Sequence, residues 1–188
     1  DFIHNLDENI MAENREEDKP WFEGIEARFK NKSSYMRYSC ERRIRSYMRE
    51  VQSHTETLDP VARDEYKKIT EAMCNELKAV KYNGCYFGRM EQKANRLCTS
   101  EGWFSCQALT WNLDHVIEKQ RTIIPCLSKA VKECNKREVN WQYFFNLLFT
   151  YQNLKLVHIV CHKKTSHNLS CDCSLIYKKR KALKRTLK

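Results

Sequence analysis

The residues best suited to chemistry gather near the end of the chain, where Cys161, His162, His167, Cys171 and Cys173 fall in one short stretch. Thiolates and imidazoles this close in sequence can hold zinc in a tetrahedral site. Structural zinc motifs usually offer two well-separated ligand pairs, and CHx4Hx3CxC does not have that spacing. The expectation is instead three half-cystines beside two exposed histidines, with no metal and no cofactor assigned. A second candidate is His115, preceded by Asp114. A general base needs a nucleophile and an orienting carboxylate, and the linear chain identifies neither. His115 is therefore expected on the surface of a helix, and the protein is expected not to be an enzyme.

Ten cysteines in 188 residues set the wider expectation: Cys40, Cys74, Cys85, Cys98, Cys106, Cys126, Cys134, Cys161, Cys171 and Cys173. Cytosolic chains rarely carry so many outside metal sites, whereas secreted chains use them as crosslinks. All ten are disulfide candidates. The sequons at Asn31 and Asn168 add two candidate glycosylation sites and point to the same oxidising compartment. Crosslinked cysteines make poor nucleophiles.

The net charge of +10 is unevenly placed. Residues 7–18 are acidic, whereas the chain ends in KKRKALKRTLK. Lys178, Lys179, Arg180, Lys181, Lys184 and Arg185 form a candidate polyanion site, because clustered cations gain affinity by releasing condensed counterions. Outside the cell the matching polyanion is a sulfated glycosaminoglycan. A solubilising tail, a protease-processing site and a nuclear localisation signal are the competing readings. No apolar run is long enough to span a membrane.

The elements that must position these residues read as helices. Residues 1–19 form a loosely ordered acidic leader, 20–173 a cysteine-rich helical domain and 174–188 a basic tail. Trp21, Phe22, Ile25 and Phe29 predict a short helix. Met36, Cys40, Ile44, Tyr47, Met48 and Val51 predict a long one over Ser34 to His54, with Arg42, Arg43, Arg45 and Arg49 on the other face. Those arginines are either a solvated face or part of an anion-binding surface. Asp59-Pro60 starts the next helix and Asn83-Gly84 stops it. Shorter helices follow over Tyr86 to Leu97, through Trp103, Trp111 and Ile117, and from Pro125 to Cys134. Val139 to Cys161 is apolar on most of its circumference and predicts a central helix. The fold class expected is all-α: a disulfide-stabilised bundle of five to six helices with a flexible basic C-terminal tail.

Two stretches resemble known families. Lys81 to Gly88 superficially resembles the calcium loop of secreted phospholipases A2. The catalytic order is reversed in Asp114-His115 and the loop glycines are too few, so that likeness is rejected. The stretch Cys74 to Cys134, with LCTSEGWFSC and PCLSKAVKEC, resembles the cysteine-rich helical domains of secreted nematode proteins of the chondroitin-proteoglycan type. It covers about a third of the chain. The resemblance implies extracellular placement and an interaction or matrix role, with no catalytic residues to carry over.

The reading is thus a secreted, non-enzymatic binding module: a receptor ligand, an extracellular protein partner or a matrix component. Its partners are an extracellular protein or receptor, with glycosaminoglycan affinity through the tail, and nucleic acid is not expected. The alternative is an intracellular zinc-containing nucleic-acid-binding protein that uses Cys161 to Cys173 and the tail. A small secreted hydrolase with catalytic groups converging from distant positions is the third class.

Overall fold

The computed structural model describes residues 12–56, 58–80, 109, 111–159 and 168–179. A 3-10 turn at Lys19–Phe22 is followed by α1 (Lys32–Ser53) and α2 (Pro60–Ala79). Strand β1 (Trp111–His115) comes next, then a π-helical turn (Lys119–Ile123) that runs into α3 (Ile124–Lys132). Helix α4 (Trp141–Phe149) and strand β2 (Leu154–His158) complete the described elements.

The two long helices form where capping and periodicity agree. Asn31 caps α1 by accepting from the Ser34 amide at 2.8 Å. Asp59 caps α2 by accepting from the Ala62 amide at 3.0 Å, with Pro60 in the first turn. The stripe Met36, Cys40, Ile44, Tyr47, Met48 and Val51 is buried along α1, and Ala62, Tyr66, Ile69, Met73 and Leu77 are buried along α2. They meet in one core, where the Tyr66 hydroxyl donates to the Val51 carbonyl at 2.9 Å. The Asn83-Gly84 stop and the helix expected over Tyr86 to Leu97 lie outside the described residues.

Two expectations fail here. The helix expected through Trp111 and Ile117 is a strand, and the helix expected over Val139 to Cys161 ends at Phe149 and restarts as a second strand. The strands pair antiparallel, with Trp111 opposite His158, Leu113 opposite Leu156 and His115 opposite Leu154. In β1 the alternation is complete: Trp111, Leu113 and His115 are buried while Asn112 and Asp114 are half-buried. A period of two is a strand signal, and it is confined here to five residues. The all-α class is therefore overturned by a two-stranded ribbon packed among helices. The disulfide scaffold is overturned with it, since Cys40, Cys74, Cys126, Cys134, Cys171 and Cys173 are free thiols. Cys85, Cys98, Cys106 and Cys161 lie outside the described residues.

Residues 12–18, which composition alone assigns to a loose leader, pack against 19–32. Asn14 bridges to Asn31. The Arg15 guanidinium donates to the carbonyls of Ile25 at 2.6 Å, Glu26 at 2.8 Å and Phe29 at 2.9 Å. Fanning over several carbonyls, it fixes the turns that bury Trp21, Phe22, Ile25 and Phe29. Lys32 is fully buried, its Nζ 2.7 Å from Asp18 Oδ2.

Removing one partner of a buried ion pair strands the other charge, whereas an apolar replacement of similar shape removes both problems. Asp18→Ala is therefore expected to cost about 3–5 kcal/mol and Lys32→Met much less. Urea unfolding of the two variants checks the order.

Candidate nucleic-acid interface and the buried histidine of the strand pair

The exposed side of α1 carries Arg37, Arg42, Arg43, Arg45 and Arg49. Their placement follows from the apolar stripe: positions that leave the core at 3.6 residues per turn gather on the opposite side. Two grooves open there. One, of about 530 Å³, is lined by Tyr38, Glu41, Arg42, Arg45, Met48, Arg49, Gln52 and Cys74. The other, of about 350 Å³, is lined by Ser39, Arg42, Arg43, Ser46 and Arg49. Arg42 and Arg49 line both, so the grooves form one surface. Among the described residues Arg42, Arg43 and Arg49 make no ion pair. Guanidinium groups on an open face present planar donor forks suited to phosphate oxygens.

Behind this helix lies His115. It is 5% exposed, not on a helix surface as expected, and its Nε2 is 2.9 Å from the Leu148 carbonyl oxygen. A carbonyl can only accept, so the proton sits on Nε2 and the lone pair on Nδ1. Burial drives the imidazole pKa down to about 4. The Lys119 ammonium pushes the same way, against the Leu148 carbonyl and the charges of Asp114 and Glu50. His115 is neutral, with one tautomer fixed.

Helix α1 holds the ring from the other side. The Tyr47 ring lies 4.8 Å from it, and the Tyr47 hydroxyl donates to the Leu113 carbonyl. Lys119 pairs with Glu50 and lies 4.9 Å from the Tyr47 ring centre, while Gln120 Nε2 donates to the same Glu50 oxygen at 2.7 Å. Burial opposes ionisation of Glu50, yet the Lys119 and Gln120 donors hold its carboxyl below the usual range.

Asn153 ties these parts together. It is 2% exposed, accepts from the Ile117 amide at 2.7 Å, and donates to the carbonyls of Ile117 at 3.0 Å and Leu147 at 2.9 Å. Its backbone carbonyl accepts from the Val116 amide at 2.8 Å. Nothing in the sequence marks Asn153 apart from other polar residues, so sequence reasoning passes over it.

The chain matches the profile of a family described as DNA fragmentation factor 40 kDa, over residues 1–109 and 108–178. This chain belongs to that family. The DNA fragmentation factor subunit beta of Homo sapiens is 52% identical over 210 residues, covering 98% of this chain and 62% of the relative. That of Mus musculus is 51% identical over 203 residues, covering 95% and 58%. A solved structure titled "Crystal Structure of Caspase-activated DNase (CAD)" is similar with a TM-score of 0.72 and 47% identity, covering 92% of this chain and 80% of that one. The chain spans about 62% of the human relative's length. The human alignment runs over 210 positions, more than the chain's 188 residues, and the profile matches in two pieces that meet at residues 108–109. The aligned part of the human relative is thus longer than this chain.

Membership overturns the readings that rested on cysteine count. The chain is not of the nematode chondroitin-proteoglycan type, and the secreted, glycoprotein and heparin-binding readings fall with that placement. The receptor-ligand function and the extracellular or glycosaminoglycan partners fall too, as does the exclusion of nucleic acid. The expectation of a non-enzymatic protein meets a structural neighbour named as a DNase. The nucleic-acid half of the alternative reading fits the family better than the leading one did.

The candidate site residues scatter. Asn31 is a helix cap and Asn168 is exposed. Lys178 pairs with Glu138 and Lys179 is exposed, while Arg180, Lys181, Lys184 and Arg185 lie outside the described residues. Cys161, His162 and His167 lie outside them too. Among the described residues no group of three or more His, Cys, Asp or Glu side chains converges as a metal site. Cys40 is buried, which raises its thiol pKa to about 12.

A histidine whose folded pKa lies below its unfolded value binds fewer protons when folded. Its contribution is complete above about pH 6.5 and is lost as pH falls towards 4. The loss amounts to about 3 kcal/mol. His115→Gln is expected to flatten this acid limb, measured by urea unfolding at a series of pH values.

Proposed function

We propose that this chain is a DNA-binding and DNA-cleaving domain that works inside the cell, where its substrate is. The observation that carries the reading is the arginine face of α1 in a member of the DNA fragmentation factor 40 kDa family. Counterion release from duplex DNA favours such a face and depends on salt. The basic run Lys178, Lys179, Arg180, Lys181, Lys184 and Arg185 is a second cation source for the same polyanion.

His115 is the proposed proton acceptor. Hydrolysis of a phosphodiester needs water to lose a proton, and a neutral imidazole with a fixed tautomer keeps one lone pair for that role at physiological pH. Glu50, Lys119 and Gln120 act on the ring's surroundings rather than on the reacting atoms. The curated relatives are named as subunits, so a companion subunit belongs to the same proposal.

Binding of a fluorescent DNA duplex, followed by anisotropy across a salt series, tests the surface. Replacing Arg42, Arg45 and Arg49 by Gln is expected to make the log–log salt slope shallower by about 0.9 for each phosphate that the variant no longer neutralises. Removing residues 180–188 is expected to lower it independently. An unchanged slope in the triple variant would remove α1 from the interface. Nicking of closed-circular DNA by His115→Asn, in a variant that still folds and still binds duplex, tests the base: loss supports it and retention removes it.

A further inference from the structure

Arg45 and Arg49 stand two residues to either side of Tyr47 in α1. At about 3.6 residues per turn, that spacing puts both arginines on the side of the helix opposite Tyr47. One helix thus carries exposed guanidinium groups on its outer side and a buried phenol on its inner side. The phenol reaches β1, where the Tyr47 hydroxyl donates to the Leu113 carbonyl, two residues before His115. Strand β1 has a partner strand on one side only, so this bond gives it a second anchor. One turn further along α1, Glu50 receives Lys119 and Gln120 from the turn that follows β1. Tyr47 and Glu50 therefore fasten α1 to the chain before and after His115.

The Tyr47 ring adds a constraint that the hydroxyl does not. The Leu148 carbonyl fixes one atom of the imidazole, Nε2, at 2.9 Å. A ring held at Cβ and at Nε2 can still swing about the line between them, which carries Nδ1 through an arc. The Tyr47 ring lies 4.8 Å from the imidazole, centre to centre, and is inclined to it by 58°. Contact at that distance and tilt blocks the swing and fixes where the Nδ1 lone pair is aimed.

We propose that Tyr47 is a positioning residue of the DNA-cleaving site, holding His115 at a fixed distance and angle from the DNA-binding side of α1. The proposal rests on the reading of His115 as the base and of the α1 arginines as phosphate ligands. The phosphates are then held by the outer side of α1 and the base by β1, and Tyr47 is a buried side chain of α1 that touches both the strand and the imidazole. Tyr47 acts through His115 and makes no contact with substrate. A base displaced by about 1 Å loses up to about 10²-fold in rate, whereas duplex affinity is set by the outer side of the helix and stays as it was.

The test is steady-state nicking of closed-circular DNA by the full chain. Duplex affinity by anisotropy and stability by urea unfolding are measured on the same preparations. Tyr47→Phe keeps the ring and removes the hydroxyl. It is expected to lower kcat about tenfold, with KM and duplex affinity within about twofold of wild type. Tyr47→Leu removes the ring as well and is expected to lower kcat about a hundredfold. Val51→Ala, one turn on along the same buried stripe, is expected to lower the urea midpoint and leave kcat within about twofold, which separates positioning from lost stability. In NMR spectra without DNA, the His115 ring resonances are expected to lose their ring-current displacement in Tyr47→Leu and to keep most of it in Tyr47→Phe. Unchanged kcat in Tyr47→Phe, with His115→Asn inactive, would overturn this proposal alone. So would a fall in kcat that Val51→Ala reproduces, or unchanged His115 resonances in Tyr47→Leu. Nicking retained by His115→Asn would overturn the base itself, and this proposal with it.

Discussion

The Thr150 amide makes the last bond of α4 at the Asn146 carbonyl, and the arrangement around His115 depends on how the carbonyls at this helix end are satisfied by side chains. Thr150 donates to Asn146, Asn153 to Leu147, and His115 to Leu148. The three side chains act as a distributed cap. Asn153 also grips Ile117 at both its amide and its carbonyl, so the exit of β1 and the entry of β2 are bound to one helix end. The clasp adds to the buried side chains of the strand pair and to the Tyr47 hydroxyl on Leu113, and a two-stranded ribbon left to its ladder alone is marginal in water. The histidine is therefore part of the fold's support as well as the proposed base, and burial that fixes its tautomer also lowers its basicity.

Much of the helical half was legible in the sequence. Asn31 before Lys32 and Asp59 before Pro60 are local caps, and the apolar spacing of α1 and α2 runs over enough turns to define one face. The arginine face followed from the same periodicity. The strand pair was not legible. WNLDH is short, and its alternation is diluted by apolar neighbours at helical spacing. In the stretch after α4, the break comes from the side chains of Thr150 and Asn153 rather than from glycine or proline. Such long-range carboxamide hydrogen bonds leave no local signature.

The cysteines misled because a count cannot distinguish crosslinks from packing. Cys40 behaves as a small apolar side chain inside α1's stripe, and free cysteine is among the most buried residue types. Charge misled in a milder way. The tail dominates the formal sum, yet Lys178 is already paired with Glu138, while the arginines of α1 sit together on a folded face. Their position relative to the core, not their number, is what the proposed interface rests on, and DNA is the polyanion of that proposal.

Protection of arginines by DNA reads that interface directly. Phenylglyoxal modification of the chain, with and without a DNA duplex, should show Arg42, Arg43, Arg45 and Arg49 shielded by the duplex. Arg121 and Arg137, exposed elsewhere on the fold, should react at the same rate in both. Equal modification of the α1 arginines in the presence and absence of DNA, with shielding elsewhere, would contradict the account.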